Sequence, residues 1–149
     1  MGCNCNCKKS AAQKYNFTAQ ALSANPAPIN MGSTAGLPSG VAIVDLGNNV
    51  GIRKTGLYRL TAQLIVAVTA AGTLNVEAYY DGKPLIATRK SLPVPVGSTQ
   101  IGINNLLYLV APEGCACADV IYPIDVYAWM SEAGTGSVSE VAVNLLKEA

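Results

Sequence analysis

The chain has 149 residues, half of them hydrophobic but only 13% charged, with a net charge of +1 and no histidine. That length suffices for one well-buried domain. The missing histidines remove the commonest general base and metal ligand, the charge balance leaves no basic footprint for nucleic acid, and no apolar run reaches the ~18–20 residues of a membrane-spanning helix.

The first forty residues differ in kind from the rest. MGCNCNCKKS alternates cysteine and asparagine, and Pro26, Pro28 and Pro38 with Gly32, Gly36 and Gly40 favour extended or looping backbone. Residues 1–40 therefore read as an extended N-terminal arm, and residues 41–149 as the folded domain. Low-charge, proline-spaced sequence cannot build its own core, so the arm is expected to gain order from a partner's surface. Its apolar anchors would be Tyr15, Phe17, Leu22, Ile29 and Met31.

Val41–Leu46 reads as a short strand, Gly47-Asn48-Asn49 as its turn, and Val50–Lys54 as an edge segment. The best-specified stretch follows, from Thr55 to Pro84. There Tyr58, Leu60, Ala62, Leu64, Val66 and Val68 alternate with Arg59, Thr61 and Gln63. Further on, Leu74, Val76, Ala78 and Tyr80 alternate with Asn75, Glu77 and Tyr79. Period two is the mark of strands with one buried face. The two strands are expected to form a hairpin about a glycine-centred turn, with a second turn at Asp81-Gly82, where both residues can adopt positive φ. From Ile65 and Ala67 onward the second face of the first strand turns apolar as well, which predicts cover from both sides.

Leu85–Ser91 reads as a strand that Pro93 and Pro95 break. Thr99–Val110 sets Ile101, Ile103, Leu107 and Leu109 on one face and Leu106, Tyr108 and Val110 on the other. Pro112–Asp119 is a loop, and Tyr122–Met130 alternates Ile124, Val126, Ala128 and Met130 with Asp125, Tyr127 and Trp129. Val138–Leu146 fits either a helix capped by Ser137 and Glu140 or a strand. The even spacing of valine-rich segments favours the strand, closing an all-β antiparallel sandwich.

Cys3, Cys5 and Cys7 form C-x-C-x-C, and Cys115 and Cys117 form C-x-C. Three readings stay open: incidental small apolar side chains, inter-chain disulfides, or a thiolate metal site. Structural zinc sites mostly use C-x2-C knuckles, so no metal and no cofactor is expected. The nine carboxylates are scattered, no glycine-rich phosphate loop precedes a helix, and no serine elbow is present, so an enzyme is not expected. Tyr79, Tyr127 and Trp129 read either as ordinary sheet-surface aromatics or as a subunit interface, where aromatics are enriched. A charged fraction about half that of an ordinary soluble domain supports an oligomer, with Ile65 and Ala67 as further interface residues.

Gly56-Leu57-Tyr58 at a strand start, Tyr80-Asp81-Gly82 at a turn, Cys115-Ala116-Cys117 in a loop and the closing strand Val138–Leu146 resemble jelly-roll domains of the tumour necrosis factor and complement globular-head class. Small domains of this kind are similar to proteins encoded in phages and prophages. The resemblance covers roughly residues 41–147. It implies a jelly-roll-like sandwich and a trimeric, non-enzymatic module used for binding or for building a virion surface, and it leaves the arm unexplained. With the arm's apolar anchors added, the expected function is a capsid decoration or head-fibre protein whose arm contacts the major capsid protein or another virion protein. From the charge balance and the short apolar runs, neither nucleic acid nor membrane is expected as a partner. A receptor- or glycan-binding head is the alternative.

Overall fold

A computed structural model describes residues 10–34, 42–111 and 121–149. In chain order the strands are β1 (Ala11–Asn16), β2 (Gln20–Ala21), β3 (Ala27–Pro28), β4 (Ser33–Thr34), β5 (Ile43–Asp45), β6 (Val50–Ile52) and β7 (Gly56–Ala70). They continue with β8 (Gly72–Tyr80), β9 (Lys83–Pro84), β10 (Lys90–Val94), β11 (Gly97–Leu109), β12 (Tyr122–Ser131) and β13 (Thr135–Lys147). All pair antiparallel, in two sheets. One has the order β11-β7-β13-β1-β4, with β2 on β13; the other has the order β10-β8-β12-β6-β5, with β3 on β12 and β9 on β8. The alternating apolar faces turn toward each other, and Tyr58, Leu60, Leu64, Leu74, Val76, Ile124, Val126 and Met130 are buried between the sheets. Eight of these strands, β1, β6, β7, β8, β10, β11, β12 and β13, make the double-sheet jelly roll.

The closing segment is a strand, as the valine spacing predicts. A bulge between Val138 and Glu140 changes its parity, so that Val138 and then Val141, Val143 and Leu145 all face the core. The Asp81-Gly82 turn also forms as expected, with φ of 51° and 74°, and returns β8 onto β9. Gly56 opens β7 where a Cβ would come within 2.4 Å of the Ala149 carbonyl oxygen, so only glycine fits the close approach of the C-terminus.

Three expectations need correction. The two strands of the central stretch do not form a hairpin: β7 pairs with β11 and β13, while β8 pairs with β10 and β12 in the opposite sheet. Alternation encodes which face is buried, not which sheet a strand joins, and Ala71 is the corner at which the chain changes sheets. Leu85–Ser91 is not one strand; a 3₁₀ turn covers Ile86–Thr88 and β10 continues through Pro93. Proline is tolerated there because β10 is a sheet edge, where a missing N–H breaks no ladder.

The third correction concerns the start of the chain. Residues 10–34 are not free of the sandwich: β1 pairs with β13 from Ala11↔Leu146 to Asn16↔Val141. Ala12, Ile29 and Met31 are buried in the shared core. The Met31 N–H donates to the Asn48 carbonyl and the Ile29 N–H to the Val126 carbonyl, each at 2.8 Å. This segment needs no core of its own because it completes that of the jelly roll. The boundary expected at residue 40 therefore separates strands that fold together.

Candidate interaction surfaces

The five expected anchors divide. Ile29 and Met31 are core residues, and Leu22 is half-buried against the core. Tyr15 and Phe17 stay open, Phe17 at 66% exposure, with their rings 5.3 Å apart. The five expected interface residues divide as well. Ile65 and Ala67 lie on the outward face of the six-stranded sheet, half-buried and exposed respectively. Tyr79, Tyr127 and Trp129 lie on the outward face of the other sheet, a full sandwich thickness away. Cys3, Cys5, Cys7, Cys115 and Cys117 lie outside the described residues. Among the described residues no group of three or more metal-ligating side chains occurs.

On the seven-stranded sheet the outward side chains cover one another. Tyr79 and Tyr127 stack with centroids 3.7 Å apart and planes 10° apart. The Arg89 guanidinium lies 5.1 Å from the Trp129 ring, and Trp129 is only 6% exposed. Asn75 is buried but satisfied: its Nδ2 donates to the Trp129 carbonyl (3.3 Å) and to Ser131 Oγ (3.1 Å), and its Oδ1 accepts from Ser91 Oγ (2.6 Å). Glu77 is buried beside it, and its Oε2 has no hydrogen-bond partner among the described residues.

The six-stranded sheet behaves otherwise. Leu106 and Tyr108 on the outward side of the edge strand β11, and Val110 just past its end, form an exposed row, Tyr108 at 69% exposure, and nothing in the described chain covers them. The alternation of Thr99–Val110 signals this second apolar face in the sequence.

A third feature joins the sheets at one edge. Lys14 points inward from β1 with its side chain 1% exposed, and its Nζ donates to Asp45 Oδ1 at 2.6 Å and to the carbonyls of Gly47 and Asn49. Three oxygens cage the ammonium inside the fold. Asn49 Nδ2 in turn donates to Asp125 Oδ1 at 3.0 Å. Burial raises the Asp125 carboxyl above the usual carboxylate range, and the Asn49 bond partly offsets that. Beside this cluster opens a cleft of about 1170 Å³, lined by residues of the 16–20 and 28–32 segments, the turn 45–49 and Asp125. No sequence spacing points to it, because its walls come from segments far apart in the chain.

The strand order and the facing of the two sheets define a jelly roll of the tumour necrosis factor type. The chain is similar to the PRD1 vertex protein P5, at 15% identity and a TM-score of 0.61, over 93% of this chain and 96% of that one. It is similar to murine APRIL at 15% identity and a TM-score of 0.62, over 94% and 99%. It also resembles the Eiger TNF of S. frugiperda at 13% and 0.60, over 95% and 92%. No protein-family model matches the sequence, and no curated protein matches it. At these identities the likeness is one of fold.

Proposed function

We propose that the chain is a virion structural protein, a trimeric jelly-roll head that decorates a capsid and is held there by its N-terminal segment. The observation that carries this reading is the strip Leu106, Tyr108 and Val110 along and just past edge strand β11, uncovered among the described residues, in a fold shared along nearly its whole length with a phage vertex protein. A row of exposed large apolar side chains on a protein of such low charge is surface meant for another subunit. Packing that strip onto the outward face of a neighbour's six-stranded sheet is a heterologous contact, which closes as a ring about a three-fold axis. Ile65 and Ala67 then fall within the contact, while the self-covered aromatics of the other sheet stay outside it.

The exposed Tyr15–Phe17 pair is the anchor toward the major capsid protein or another virion protein. Three such pairs on one trimer multiply a modest contact through effective concentration. Deleting residues 1–40 would remove Ala12, Ile29 and Met31 from the core, so the test is the double substitution Tyr15→Ser, Phe17→Ser. The variant should fold and trimerise like the parent but bind virus particles at least tenfold more weakly. Unchanged occupancy on particles would remove these two residues as the anchor.

A further inference from the structure

We propose that the cleft between the 16–20 and 28–32 segments, the 45–49 turn and Asp125 binds a neutral saccharide. This is independent of how the chain assembles. Of the thirteen residues that line the cleft, eight carry an amide, hydroxyl or carboxylate side chain, a density of donors and acceptors matched by a ligand made mostly of hydroxyl groups. Its walls are already fixed. Asn16 Nδ2 donates to the Asn30 carbonyl (3.1 Å) and its Oδ1 accepts from the Thr18 N–H (2.9 Å). Gln20 donates to the Pro28 carbonyl (3.0 Å) and accepts from the Asn30 N–H (2.9 Å). Asn30 Oδ1 accepts from the Gly32 N–H at 2.8 Å. Side chains tied to backbone in this way lose little entropy when a ligand arrives. They leave Asn30 Nδ2, Asn49 Oδ1 and the second Asp125 oxygen to meet it.

Charge narrows the class. Among the described residues no lysine or arginine lines the cleft; Lys14, behind Asp45, is buried and bonded to it, so it is not offered to an anion, and the Asp125 carboxylate repels one. Phosphorylated, sulfated and sialylated ligands are disfavoured on that ground. The Tyr79–Tyr127 stack neighbours two lining residues in register: Tyr79 is opposite Asp125, and Tyr127 is opposite Pro28. An aromatic face beside an amide-lined cleft suits a sugar, whose ring carries weakly positive C–H groups on one side and hydroxyls around its edge.

The full chain is tested on an array of neutral and N-acetylated oligosaccharides beside an array of sulfated and sialylated ones. We expect binding on the first and none on the second. Asp125→Asn and Asn30→Ala should each weaken it at least tenfold, whereas Val96→Ala, in the exposed turn between β10 and β11 and away from the cleft lining, should leave it unchanged. Circular dichroism checks that the variants fold. Should Asp125→Asn and Asn30→Ala misfold, Asn48→Ala on the exposed turn decides, with at least a threefold loss expected. Binding to neither array, binding confined to the anionic one, or full binding by the folded cleft variants overturns the proposal.

Discussion

The outward faces of the two sheets arise from the same alternation of residues, yet they end in opposite states. On the seven-stranded sheet the large aromatics are dealt with inside the chain: Trp129 lies beside Arg89, Tyr79 stacks on Tyr127, and even Asn75 and Glu77 between them are buried. On the six-stranded sheet Leu106, Tyr108 and Val110 have no such cover among the described residues, and Ala67 lies open on the neighbouring strand. An exposed apolar residue is informative only when it is one of a contiguous group. An aromatic cluster is therefore a poorer guide to an interface than a row of aliphatic and aromatic side chains left in water. On this account Trp129 stabilises the protomer and Tyr108 stabilises the assembly.

That division can be attacked from the seven-stranded side first. Trp129→Ala removes a nearly buried ring and its cation–π contact and should cost about 3 kcal/mol of folding stability, read by urea unfolding, without altering the oligomeric state. A change in subunit number would mean that this face is also an interface. Next in size is Lys14→Met, which withdraws the donor shared by the Gly47 and Asn49 carbonyls. A loss of about 1–2 kcal/mol is expected, moderate because Asp45 is one-third exposed and water can take over at its carboxylate. A stabilised variant would show that the caged ammonium is a net burden.

Two smaller effects concern the carboxylates of the seven-stranded face. The Asp125 carboxyl titrates higher in the folded than in the unfolded chain, so the folded state holds the proton more tightly. Its contribution is then fully present below the unfolded value and is lost as pH rises through the folded one. Asp125→Asn can still accept from Asn49 and carries no charge, so its melting temperature relative to the parent should rise between about pH 3 and about pH 7. A flat difference would contradict the assignment. Smallest of all, Glu77→Gln should change stability by about 1 kcal/mol or less, in the stabilising direction, because it replaces a buried carboxyl group whose Oε2 has no partner among the described residues. A loss above about 2 kcal/mol would reveal a partner for that oxygen.

Much of the fold was legible because β7, β11, β12 and β13 bury one face each, and period-two alternation reports that directly. What local sequence does not carry is pairing. Nothing near Ala71 says that β8 leaves the sheet of β7, and the proline-spaced residues 26–32 look coreless until β12, a hundred positions later, supplies the partner for Ala27 and Pro28. The site was less legible still. Lys14 sits between Gln13 and Tyr15 in a polar run and reads as solvated; only Asp45, thirty-one residues on, makes its burial tolerable. The uncovered strip on β11, by contrast, was written plainly in the second apolar face of Thr99–Val110.

The most direct measurement is the number of chains in solution, by sedimentation equilibrium at micromolar concentration, for the full chain and for the double variant Leu106→Asp, Tyr108→Asp. The account predicts a single three-chain species for the parent. For the variant it predicts a folded monomer with the parent's circular dichroism spectrum, since an unpaired charge buried in the contact costs several kcal/mol per copy. A monomeric parent, or a double variant that still assembles as three chains, would contradict it.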